Sequence, residues 1–229
     1  YRLVDIAARS GLSSSTAHRL LTTLEQRQFV QSDRETNLWY VGVRCFSVGA
    51  AFGRRRRIAH LALPVMRRLR DSTGESINLG IADLGDIVFV TQVESRETMR
   101  AIGKPGFRAP LHGTAMGQSI LAAMAEEDVL QYLRTYGLPK LTNNTIARAS
   151  RLHETLGEVR RAGHAIDDEQ NAVGLRCIAA AIRDEHGRPF GAISLVGPTQ
   201  RIKSADFAEL GAVVRAAADE ITAAYGGRF

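Results

Sequence analysis

The stretch Gly11–Leu24, GLSSSTAHRLLTTL, constrains the fold more than any other part of the chain. A short amphipathic segment, Leu3 to Arg9, precedes it, and Gly11 supplies the permissive backbone that a sharp helix-to-helix turn requires. Ser13 is placed to cap a second helix, and Leu12, Leu20, Leu21 and Leu24 recur at the spacing of an inward face. Ala7, Gly11 and Ala17 are small where two short helices would cross closely. The spacing predicts a helix-turn-helix. With Ser13 at its entrance, the second helix turns Ser14, Ser15, His18, Arg19 and Thr22 outward, short hydrogen-bonding groups and a cation suited to phosphates and base edges in a major groove. A plain solvated helix face carries similar residues, so this stretch alone leaves both readings open.

The position of charge decides between them. The chain of 229 residues carries a net charge of +6. Through Arg57 there are ten arginines against four acids; from Ile58 onward twenty basic residues face twenty acidic ones. The whole excess accompanies the proposed groove-reading helix, the electrostatic footprint of a nucleic-acid-binding module attached to a neutral domain. Double-stranded DNA is the expected partner. No apolar run is long enough to cross a bilayer and no signal peptide opens the sequence, so the expectation is a soluble, cytoplasmic protein without a membrane partner. Tyr1 is not an initiator Met, and a winged helix-turn-helix is expected to carry one more helix ahead of it. Cys45 and Cys177 are too few for a disulfide framework and not spaced as metal ligands, which predicts reduced thiols.

Beyond the second helix, Phe29 Val30 and Leu38 to Val41 flank a polar turn, a hairpin of wing size with Arg34 at its tip facing phosphate or solvent. Gly42 to Gly53 is expected to be a connecting helix that runs into Arg54 to Arg57, four cations pointing in all directions around a helix rather than along one stripe. From Ile58 the pattern is that of an α+β domain. Helices are predicted over His60–Ser72, Thr114–Met124, Glu126–Tyr136, Arg151–Ala162 and Ala205–Tyr225. Strands are predicted over Ser76–Ala82, Asp86–Val93, Thr98–Gly103, Ala165–Asp168, Arg176–Arg183 and Phe190–Val196, giving one largely antiparallel sheet with helices on its faces.

The run Leu111 to Gly117 enters a helix of small residues, where free N–H groups and close backbone approach suit a carboxylate; tight packing of that helix on the sheet requires the same residues. Evidence for an enzyme is poor. Asp167, Asp168 and Glu169 alternate faces, so they form no acid/base pair, and no phosphate-binding glycine loop or metal-ligand spacing occurs. No catalytic residue, metal or cofactor is expected. The alternative is a small-molecule enzyme with Cys177 as nucleophile and His112 or His164 as its base.

The sequence resembles the IclR family of bacterial transcriptional regulators along nearly its full length. The match is carried by Gly11 to Ser13 through Arg19 to Leu21 and by Tyr40 to Gly42. Further on it is carried by Leu111 to Gly117, Gly163 to Glu169, Gly174 to Ala179, Gly191 to Ser194, and Gly197 Pro198. The resemblance implies a winged helix-turn-helix over 1–43, a linker helix over 44–57, and over 58–229 a GAF-like domain that binds an effector and forms oligomers. It also implies homodimers or homotetramers on operator DNA, a small organic acid effector, and repression of transcription. By resemblance to relatives that bind such acids, the effector positions are Ala115, Met116, Asp167, Cys177 and Ser194. Two positions depart from the pattern: Val196 stands where the family's namesake has a second pocket Ser, and Gln118 where the family usually has Lys.

Overall fold

A computed structural model of the chain describes residues 1–55, 57–96 and 103–228, in two compact units, Tyr1–Arg57 and Ile58–Phe229. In the first unit, α1 (Leu3–Ser10) and α2 (Ser14–Gln26) meet at Gly11, whose φ of +65° ends α1 in the left-handed region that strains any side-chain-bearing residue. The Ser13 hydroxyl caps α2, accepting from Thr16 N at 3.3 Å. Ala7, Ala17 and Leu21 are buried, but Leu12, Leu20 and Leu24, expected to face inward, are 39%, 51% and 41% exposed. The cause is geometric. Helix α2 packs on α1 and β1 through the Ala17–Leu21 stripe, and the adjacent stripe of Leu20 and Leu24 meets no cover among the described residues.

Strands β1 (Val30–Asp33) and β2 (Leu38–Val41) form an antiparallel hairpin closed by the Asp33↔Leu38 pair. The Asp33 carboxylate accepts from Glu35 N and Thr36 N and so shapes the turn. Helix α3 (Val43–Arg55) follows.

The second unit begins with α4 (Ile58–Thr73) and contains one six-stranded sheet. The strands are β3 (Ser76–Asp83), β4 (Asp86–Val93), β5 (Arg108–Pro110), β6 (Ala165–Asp168), β7 (Leu175–Arg183) and β8 (Pro189–Pro198). Their order is β5-β4-β3-β8-β7-β6, and every adjacent pair is antiparallel. Leu84 and Gly85, with φ of +48° and +84°, make the tight β3–β4 turn that the twist of a hairpin favours. Most of the strand expected over Thr98–Gly103 lies outside the described residues, as does Arg56 of the arginine run. The remaining helices are α5 (Ala115–Ala123), α6 (Glu126–Tyr136), α7 (Ala149–Ala162) and α8 (Phe207–Tyr225), so the class is mixed α+β.

Period-two alternation along the strands divides the core. Ile77, Leu79, Ile178, Ile182, Ile193 and Leu195 face one side and pack with α4 and α8 through Met66, Leu69, Val214 and Ile221. Ala179, Ala192 and Ala165 face the other and receive α5 and α7 through Ile120, Leu121, Leu152 and Leu156. Small residues on this second face let α5 come close to the sheet, which is why Ala115 to Ala122 is buried all round. No helix among the described residues is long and apolar enough to cross a membrane.

Candidate functional site

On the α5 face of the sheet, the alternation that builds the core also gathers polar groups. Asn78 on β3 lies opposite Ser194 on β8, and Cys177 on β7 lies between Asp167 on β6 and Val196 on β8. All five side chains point toward the start of α5 and, with Thr114, Ala115 and Met116, line one cavity of about 20 Å³. The structure thus brings Ala115, Met116, Asp167, Cys177 and Ser194 together. The Thr114 hydroxyl caps α5 by accepting from Gly117 N at 3.0 Å, and Gln118 N donates to Thr114 O. Ala115 and Met116 line the cavity, and their amides, as the first of the helix, have no intrahelical acceptor and lie at the positive end of the helix dipole. Gly117 serves packing: a Cβ there would lie 2.1 Å from Leu111 O, so the helix start can sit this close to Leu111 only as glycine.

The acidic wall is set by burial. Asp167 is 2% exposed, and its Oδ1 accepts from Gln170 N at 2.6 Å and Asn171 N at 3.2 Å. Burial pushes its carboxyl up to about 7 against those two amides, with Asp168 adding repulsion. Its neighbours in sequence are occupied elsewhere: Asp168 pairs with Arg176 at 2.7 Å, and Glu169 accepts from Gly174 N at 2.7 Å. Burial, with the nearby Asp167 charge, also pushes the Cys177 thiol well up, which keeps it neutral and poorly nucleophilic. Neither proposed base serves it. His112 is buried with Nδ1 on the Tyr132 hydroxyl and Nε2 on Pro139 O, and His164 packs against Gly211 of α8.

Gln118, at the position expected to hold Lys, is fully buried and donates through Nε2 to His112 O at 2.8 Å and to Gln170 Oε1 at 2.7 Å. A neutral amide here needs no counter-ion, and it links α5 to the loop whose amides hold Asp167. Sequence reasoning missed Asn78, Phe89 and Leu175 in the cavity wall. Asn78 had a readable signal, a polar residue at a core-facing position of a predicted strand.

In the first unit, Ser14, Ser15, His18 and Arg19 are exposed on α2, and Arg34 is exposed in the hairpin turn. Ser13 is occupied by the cap and by contacts to the Ser15 and Thr16 hydroxyls, while half-buried Thr22 donates back to His18 O at 2.9 Å. The His18 ring meets Trp39 of β2 edge-on at 6.3 Å, and Glu25 accepts from Ser32 N and its hydroxyl, so α2 and the hairpin form one surface.

A family model described as "IclR helix-turn-helix domain" matches residues 1–34, and one described as "Bacterial transcriptional regulator IclR C-terminal" matches residues 51–223. The chain belongs to the IclR family. It is 39% identical over 227 residues to the transcriptional repressor IclR of Escherichia coli (strain K12), covering 98% of this chain and 83% of that protein. It is likewise 39% identical over 220 residues to the regulator BhcR of Paracoccus denitrificans, covering 96% and 79%. Among solved structures, the IclR of Thermotoga maritima superposes with a TM-score of 0.79 at 28% identity, covering 98% of this chain and 91% of that one. Membership makes this IclR chain a DNA-binding transcriptional regulator rather than an enzyme.

Proposed function

We propose that this chain is a ligand-responsive repressor acting in the cytoplasm as a homodimer or homotetramer on double-stranded operator DNA. In this reading Ser14, Ser15, His18 and Arg19 face the major groove, with Ser13 and Thr22 orienting the helix and Arg34 on the adjoining phosphates. The second unit holds a small organic acid, its carboxylate on the Ala115 and Met116 amides and its remaining oxygens against Ser194, Cys177 and Asp167. The observation that carries the reading is the convergence of those five positions on one cavity at the start of α5. The ligand regulates because it binds one assembly better than another, and the assembly it favours spaces the two reading helices differently.

The test is fluorescence anisotropy on operator fragments selected from random duplexes with the whole chain. Arg19→Ala should weaken operator binding by about tenfold or more, the scale of one good base or phosphate contact, and leave acid-induced thermal stabilisation unchanged. Ser194→Phe, which fills the cavity, should remove the acid response and leave ligand-free DNA binding intact. Loss of both activities in either variant would overturn this division of roles.

A further inference from the structure

Asn78 holds a polar group that the core does not use. It sits on the central strand β3, is 1% exposed, and its cross-strand neighbours on the cavity side of the sheet are Gln92 on β4 and Ser194 on β8. Its Oδ1 finds no hydrogen-bond donor among the described residues although it is wholly buried. Gln92 Nε2, on the next strand, is orphaned as well, so the two amides do not satisfy each other. Buried acceptors are nearly always paired, and one left open in a cavity wall points to a donor supplied from outside the chain. The groups around it sort the ligand further. The Ala115 and Met116 amides at the start of α5 offer donors and a positive dipole, while Asn78 Oδ1 offers an acceptor. Val196 and Phe89 close the wall with apolar surface. A plain carboxylate fills the donors and leaves Asn78 unmet. A carboxylate with a hydroxyl on the neighbouring carbon fills both within a few heavy atoms.

We propose that Asn78 is the specificity-determining residue of this cavity and that it selects small 2-hydroxy acids over the corresponding acids without the hydroxyl. The proposal rests on reading the cavity as the effector site. Its test is calorimetric titration of the whole chain with two matched pairs, glycolate against acetate and lactate against propionate, each pair equal in charge and differing by one hydroxyl. The parent protein is expected to bind the hydroxy acid at least about tenfold more tightly, and Asn78→Leu, close in volume, to bring each pair within about twofold. Asn78→Ser, which restores a hydroxyl acceptor, should recover part of the preference and serves also if the Leu variant does not fold. A parent ratio near one, or a ratio unchanged in Asn78→Leu, overturns the proposal and leaves the effector reading standing. An equal loss in Gln92→Leu also overturns it, since the pair of amides would then act as one structural unit. If none of the four acids binds the parent, the reading of the cavity itself falls, and this proposal with it.

Discussion

Asp167→Asn should erase a pH dependence that the parent protein carries. The carboxyl is buried, and its value rises from 3.8 to about 7 because burial outweighs the two amides that favour the charged form. Unfolding returns it to the ordinary range. A folded value above the unfolded one means that this group's contribution to stability is complete below about pH 4 and is lost as pH rises toward 7. Through that window the unfolded chain ionises freely while the folded chain resists a buried charge. Moving the group from 3.8 to about 7 corresponds to roughly 4 kcal/mol. For a unit of this size that is roughly 8–16 °C of melting temperature. Asparagine keeps the volume, and its oxygen still accepts from Gln170 N and Asn171 N, so the variant loses the ionisation without leaving a void. Calorimetric melts of parent and variant at half-unit steps from pH 5 to 8 make the comparison, and their difference removes the background of other carboxylates. The variant should gain on the parent steadily with pH and exceed it above pH 7. A parent-minus-variant difference that stays constant from pH 5 to 8 would refute the argument that Asp167 is protonated in the folded protein.

Two further outcomes follow from the same wall. Cys177 should react with a maleimide at pH 7.5 at least about a hundredfold more slowly in the folded protein than in urea, because burial holds it as a neutral thiol; rapid modification would reopen a nucleophilic role. Gly117→Ala places a methyl against the Leu111 carbonyl and should destabilise the second unit by about 2–4 kcal/mol in urea unfolding, with loss of acid-induced stabilisation, because α5 must withdraw from Leu111.

Much of this fold was legible because local signals agreed. The Gly11 turn, the Ser13 cap, the Leu84–Gly85 hairpin and Gly163, which ends α7 at a φ of +77°, each dictate a backbone state, and helix α6 and strand β6 fall on their predicted residues. Sequence period failed on α2, where Leu20 and Leu24 read as core and lie exposed: periodicity identifies an apolar face but not what will cover it. The edge strand β5 escaped because three residues bounded by Pro110 carry no alternation to detect. The cavity is a product of register. Asn78, Asp167, Cys177 and Ser194 come from four strands scattered through the sequence, and only the pairing of β3, β6, β7 and β8 makes them neighbours. Resemblance to the family supplied Asp167, Cys177 and Ser194 on the sheet and Ala115 and Met116 at the helix start; Asn78 carried only the signal of a polar residue at a core-facing strand position, and its unused oxygen is visible only in the folded chain.

The alternating pleat of β3 gives a single backbone two audiences. Asn78 addresses the cavity while Ile77 and Leu79, one residue to either side, rest in the layer built on α4, and α4 is the first helix after α3 along the chain. Any sideways or lengthwise adjustment of this strand on ligand capture is shared at once by both faces, since a peptide backbone cannot move one side chain's anchor and hold the next one still. A shift at the cavity wall is therefore felt in the α4 layer through the thickness of the sheet, by way of the strand itself.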